Sequence, residues 1–243
     1  MGRIREALKS KAPLPGSHSV TGHAGEPSLG RLPDDVRGSF TGQTSAPEIQ
    51  GKQTARDWLP PVGNTTEEQF AQFAKNCADL KADFQRLASH QELAATLVKI
   101  RDAEQWRRIA IHDGILSNFA CQALGLPTLF TDKGYDAQEL EQCDAGITEC
   151  DALIAQTGGV VVTSRSAGGR ALSILPPHHV VVARSEQLLA GLPDAFALLQ
   201  RKYAPDFPSM ISFITGPSRT GDIERILVLG AHGPKKLTIL CVS

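Results

Sequence analysis

The stretch Arg107-Arg-Ile-Ala-Ile-His-Asp-Gly-Ile-Leu-Ser-Asn-Phe-Ala-Cys-Gln-Ala-Leu-Gly-Leu-Pro-Thr-Leu-Phe130 carries the alternation that decides the fold. Its opening, through Ile111, reads as a strand, Ile115 to Leu124 as the helix behind it, and Pro127 to Phe130 as a short strand again. Strand, helix and strand in that order make a crossover unit, and the same rhythm recurs on both sides of it. The expected architecture is α/β, a mainly parallel sheet with helices on both faces.

Upstream, Thr65 is placed to cap a helix and Glu68 to reach back as the capping-box partner. Phe70, Phe73, Cys77, Leu80, Phe84 and Leu87 recur at helical spacing and predict one apolar stripe for the core. A second helix is expected over about Gln91 to Glu104. Downstream, a strand runs into Thr148, Asp151-Ala-Leu-Ile-Ala155 reads as a helix, and Gly158 to Thr163 as a strand. Val180 to Ala183 is a further strand, followed by a helix from Glu186 to Arg201. Pro205 and Pro208 end that region before the strand Met210 to Ile214. Ile226 to Leu229 and Leu237 to Val242 complete the strands. The polar turns between them, Thr215 to Glu224 and Gly230 to Pro234, describe a sheet edge of the kind where ligands sit.

At 243 residues the chain can bury one good core. Its 25 Lys and Arg against 26 Asp and Glu leave no broad basic surface, which argues against nucleic-acid binding. No apolar run is long enough to span a bilayer, and Met1 to Lys9 has positive charge without the apolar centre of a signal peptide, so a cytoplasmic location is expected. Cys77, Cys121, Cys143, Cys150 and Cys241 are scattered, with no pair at Cys-x-x-Cys spacing, and read as reduced apolar fillers rather than zinc or iron–sulfur ligands. His112-Asp113 lacks a third ligand, and His178-His179 enters a strand that turns the two rings to opposite faces. No bound metal and no cofactor on this chain are expected. Residues 11–63 are rich in Pro, Gly, Ser and Thr and read as an arm whose sparse apolar residues, Leu29, Leu32, Phe40, Ile49, Trp58 and Leu59, anchor it to a partner or to its own domain, or simply punctuate a linker. The expected division is a helix and arm over 1–64 and an α/β domain over 65–243.

Four blocks resemble the lactate utilization protein C family, whose shared module is the LUD domain. They are Gly146-Ile-Thr-Glu-Cys-Asp-Ala-Leu-Ile-Ala-Gln-Thr-Gly158, Gly168-Gly-Arg-Ala-Leu172, Leu175-Pro-Pro-His-His-Val180, and the terminal pair Gly216-Pro-Ser-Arg-Thr220 with Asp222-Ile-Glu224 and His232-Gly-Pro234. The likeness is strong over residues 65–243 and weak over Arg3 to Leu8, and Gly221 stands where the family usually has Ala. It implies a fold similar to the ribose-5-phosphate isomerase, glucosamine-6-phosphate deaminase and coenzyme A transferase group. It also implies a cytoplasmic part in oxidising L-lactate to pyruvate with iron–sulfur partner proteins, which would carry the clusters. A homo-oligomer, a non-catalytic assembly role and an isomerase-like or acyl-transferring enzyme stay open beside it.

Three loops are candidates to converge: Thr148-Glu149 with Thr157-Gly158-Gly159, Ser164 to Arg170, and Gly216 to Glu224. Their hydroxyls, glycines and arginines suit a small carboxylate or a phosphate-bearing ligand, since Arg pairs bidentately with oxyanions and Gly admits close backbone approach. Thr148, Gly158, Gly216, Ser218, Arg219, Thr220, Asp222, Glu224 and Gly233 are the ligand-binding candidates. Arg219 could instead pair with Asp222 or Glu224 to brace the loop. Glu149 is a candidate base or nucleophile, or else a carboxylate at a helix start. His232 could donate to a substrate carboxylate or shuttle a proton, or else hold its own turn.

Overall fold

The computed structural model describes residues 60–220, 228–229 and 233–243. The arm up to Leu59 lies outside the described residues, as do Asp222, Glu224 and His232. The first described helix, α1 (Thr66–Asp79), starts as its sequence demands. The Thr65 hydroxyl accepts the Glu68 N–H at 3.2 Å, and the Glu68 carboxylate accepts the Thr65 N–H at 3.0 Å. Residues just before it are already held: Gln156 Nε2 donates to the Pro60 carbonyl at 2.8 Å and Gln72 Nε2 to that of Pro61 at 2.9 Å.

Beyond α1 the chain turns through Lys81, at φ 65, into β1 (Asp83–Leu87). Phe84 and Leu87 therefore reach the core from a strand, not from the expected continuation of the helix, and Phe84 meets Phe73 edge-on at 4.8 Å. There follow α2 (His90–Glu104), β2 (Ile109–Ile111), α3 (Ile115–Leu124), β3 (Thr128–Phe130), α4 (Ala137–Glu141) and β4 (Ala145–Thr148). Then come β5 (Ala152–Ile154), β6 (Gly159–Thr163), β7 (His178–Arg184), β8 (Leu188–Leu189), α5 (Leu192–Tyr203) and β9 (Ile211–Ile214). The short ladder β10 (Arg219–Thr220) with β11 (Val228–Leu229) precedes the last strand, β12 (Lys236–Val242).

Among the described residues, six strands form a parallel sheet in the order β1-β12-β7-β4-β2-β3. A four-stranded mixed sheet runs β8-β5-β6-β9. Alternation along β7 sorts the layers: Val180 and Val182 face α2 and α3, where Leu93, Leu97, Leu116 and Leu124 pack. Val181 and Ala183 face the other way, onto Phe70, Phe73 and Cys77 of α1 and onto Leu153, Val160 and Val162 of the small sheet. α5 covers the small sheet's far side through Ala195, Leu199 and Tyr203. Helices thus lie on both faces of the parallel sheet, with a second sheet sharing one of them.

That second sheet explains two departures from the sequence reading. Asp151 to Ala155 is not a helix but contains β5, three residues buried on both faces. A run so short and so uniformly apolar has no period to separate strand from helix. The expected helix from Glu186 begins only at Leu192, after β8, with Gly191 as its N-cap and Pro193 in its first turn. The Thr215 to Glu224 loop also does not sit on one sheet's edge. It leaves β9, the edge of the small sheet, and leads through the β10–β11 ladder to β12, an interior strand of the large one.

Candidate functional site

The loop after β9 is drawn tightly against the domain. Gly216 has φ +94, and a Cβ there would come 2.8 Å from the Leu80 carbonyl oxygen, so the turn admits only glycine. Two residues on, the Ser218 N–H donates to the Pro234 carbonyl at 2.9 Å and zips this loop to the turn before β12. A Cβ on Gly233 would lie 3.1 Å from that of Ser218. Gly216, Ser218 and Gly233 therefore do meet, around a cavity of about 200 Å³.

The floor of the cavity is the N-terminal end of the parallel sheet, where His179 and Leu237 are the second residues of β7 and β12. Ser212 and Ile214 of β9 form one wall, and Ser173 and Ile174, just before β7, another. The His179 ring lies 1% exposed, with Nε2 2.9 Å from the Thr148 hydroxyl. Burial, reinforced by neighbouring His178, pushes the imidazole down to about 3, so the ring is neutral at ordinary pH. The described lining is thus hydroxyls, one neutral imidazole and apolar carbon. Arg219 is not among the lining residues: it is exposed, and its Nη2 lies 3.1 Å from where a Gly216 Cβ would be, on the side that faces Leu80.

The opposite end of the sheet is organised quite differently. Glu149, directly after β4, turns to the start of α3, where its Oε1 accepts the Leu116 N–H at 2.8 Å and the Ser117 N–H at 3.4 Å. It is a helix-start carboxylate, but of α3 rather than of the helix expected over Asp151 to Ala155. His112, buried beside it, accepts the Glu149 N–H at 3.1 Å on Nε2, which also stands 3.0 Å from the Ser117 hydroxyl. Burial lowers the His112 pKa against the opposing pull of Glu149 and Asp132.

The remaining candidates scatter. Thr148 is fully buried and faces His179 rather than the cavity. Gly158, at φ +65, packs on α1, where a Cβ would meet that of Asn76 at 2.8 Å, while Asn76 Nδ2 binds the Ala155 and Gln156 carbonyls. The glycine is required by that packing, and among the described residues the three loops do not line one cavity. Arg165 pairs with Asp206, and Arg170 donates to the Ser209 carbonyl at 2.7 Å. Thr220 is placed in β10, paired with Val228. Motif reading misses His179, Ser173 and Ser212; the available signal is the odd-numbered face of β7, which puts His179 with Val181 towards the small sheet. Among the described residues no group of three or more His, Cys, Asp or Glu gathers as a metal would require, and no helix is long and apolar enough to cross a membrane.

Comparison with known proteins centres on the same region. The LUD domain family model matches residues 70–242. Lactate utilization protein C of Bacillus licheniformis is 35% identical over 108 residues, 44% of this chain and 45% of that protein, so the match spans less than half of its length. The protein of the same name from Deinococcus radiodurans is 26% identical over 184 residues, 75% of this chain and 84% of that one. The crystal structure of a DUF162 family protein from Deinococcus radiodurans superposes with a TM-score of 0.61 at 24% identity, covering 74% of this chain and 100% of that one, a likeness of fold.

Proposed function

The chain belongs to the LUD domain family, and from that membership we propose that it is a component of a lactate-utilization system that binds a small carboxylate, L-lactate or pyruvate, in the cavity beside His179. The observation that carries this reading is the meeting of Gly216, Ser218 and Gly233, from two separate motif loops, over one small cavity floored by a neutral histidine. At about 200 Å³ the cavity is smaller than the roughly 300–1,000 Å³ usual for drug-sized ligands, which favours a three-carbon acid over a phosphate-bearing cofactor. Arg219, on the same loop as Gly216 and Ser218, is the guanidinium this reading assigns to the acid's carboxylate.

Oxidation of L-lactate to pyruvate releases two electrons and two protons, and this reading assigns the electrons to cytoplasmic iron–sulfur partner proteins. The chain's own part is to hold and orient the acid. Its described lining suits that task better than proton abstraction, since it holds no carboxylate or lysine and burial makes its imidazole a weak base. An acyl-transferring mechanism through Glu149 draws no support, because that carboxylate is engaged by the start of α3.

Calorimetric titration of the full chain with L-lactate, pyruvate and inorganic phosphate is the test, repeated on Ser212→Leu, which fills the cavity. Saturable binding of either acid that the leucine abolishes is expected. Binding that survives the leucine, or no binding of either acid, contradicts the reading and favours the assembly role.

A further inference from the structure

We infer that Thr148 is a positioning residue that holds the His179 imidazole in the tautomer protonated on Nδ1, so that the ring presents an N–H donor to an acceptor oxygen of the ligand. The inference rests on the ligand reading above for what is bound, but on its own geometry for the tautomer. Thr148 is 0% exposed, and its hydroxyl stands 2.9 Å from His179 Nε2. A hydrogen bond holds one proton between them. If Nε2 carried it, the Thr148 O–H would be left without an acceptor in a dry interior, an arrangement that costs roughly 1–3 kcal/mol. If Nε2 is bare, the hydroxyl donates to it, both groups are satisfied, and the ring's single proton sits on Nδ1.

The local sequence makes the pair possible. His179 lies opposite Gly146 in the β4–β7 register, and Thr148 is two residues further along the same face of β4. Gly146 itself admits the segment that precedes β7, since a Cβ there would come 2.4 Å from the Leu172 carbonyl oxygen and 3.0 Å from the Pro176 ring. The neighbouring ring behaves differently: His178 faces the α2 side, bonds Thr238 through Nε2 at 2.9 Å and leaves a buried Nδ1 without a partner among the described residues. His179 lines the cavity, and its Nδ1 is not among the buried atoms without a partner. In the inferred tautomer the cavity-bordering ring offers an N–H, which would select an acceptor, such as a carboxylate or keto oxygen, and reject a donor such as an ammonium group.

The test uses full-length wild type, Thr148→Val and Thr148→Ser. The tautomer is read from imidazole nitrogen signals of ¹⁵N-histidine-labelled, ligand-free protein, and affinity from calorimetry with pyruvate. Expected are an Nδ1–H ring in wild type and in the serine variant, and in the valine variant a ring shifted towards Nε2–H that binds pyruvate roughly tenfold more weakly. Thr148→Ala replaces the valine variant should the latter not fold. An Nε2–H ring in wild type, or a valine or alanine variant with the wild-type tautomer, overturns the inference. A Thr148-dependent Nδ1–H ring in a protein that binds no pyruvate upholds the positioning role and overturns the proposed ligand instead.

Discussion

The two ends of the parallel sheet use the same parts, a buried histidine beside a side-chain hydroxyl, and arrive at opposite results. At the C-terminal end, where ligands of α/β proteins commonly sit, the chain satisfies itself: Glu149 takes the first N–H groups of α3, and His112 takes the Glu149 N–H. At the N-terminal end, His179 is anchored on one nitrogen by Thr148 while the ring borders an open cavity. The difference teaches that a polar cluster is a structural joint when its donors and acceptors close on one another, and a candidate site when one of them is left facing space.

The largest expected effect comes from protons, because the N-terminal end buries two neutral histidines. His178 is held down to about 4 and His179 to about 3, in both cases chiefly by burial. A base whose folded-state pKa is depressed binds fewer protons folded than unfolded, so stability is intact above the unfolded value, near 6.5, and falls as pH drops below it. From pH 7 to pH 5 the two together should cost on the order of 4 kcal/mol, seen as a lower urea midpoint. His178→Gln should remove about half of that pH dependence. A midpoint equal at the two pH values would show that these rings are not buried neutral.

At the C-terminal end the sharpest break is Gly168→Ala. Gly168 has φ +59, and a Cβ would come 2.2 Å from that of His112, so a loss on the order of 3 kcal/mol is expected from strain and overpacking together. Gly125→Ala, at φ +61 with nothing within 4 Å, isolates the backbone part and should cost about 1 kcal/mol. Equal losses in chemical denaturation would mean that the contact with His112 is unimportant.

Glu149→Gln comes next, with roughly 1–2 kcal/mol lost because a neutral amide caps α3 less well. Pyruvate affinity should not change, which separates the two ends of the sheet directly. The smallest stability effect belongs to Arg219→Ala, within about 0.5 kcal/mol of wild type as for an exposed side chain. Its pyruvate affinity should nevertheless fall about tenfold, and Arg219→Lys should do nearly as badly, since an ammonium cannot reproduce the paired hydrogen bonds of a guanidinium. A lysine variant with full affinity would remove Arg219 from the site.

Much of this was legible in the sequence where local chemistry decides the matter. The Thr65–Glu68 capping box, the α3 boundaries and the strand ending at Thr148 follow from caps and periodicity, and all are found. Phe84 and Leu87 misled because their spacing from Phe73 and Cys77 fits a helix, although the αL turn at Lys81 breaks the run. Gly216, Ser218 and Gly233, residues of two separate motif loops, line one cavity. What the motifs could not reveal was which end of the sheet each loop serves, since that depends on β5, β6 and β9 forming a separate sheet. Hence Glu149 and Gly158 lie away from the cavity that the loop motifs suggest, while His179, whose sequence context speaks only against a metal pair, lines it.

The central claim, that the open end binds a small acid while the closed end does not, is tested most directly by one titration. Pyruvate is added to full-length protein labelled with ¹⁵N-histidine while the ring signals of His179 and His112 are followed. The account predicts a saturable change at His179, with His112 unmoved. A saturable change at His112 with His179 still, or no response from either ring, would contradict it.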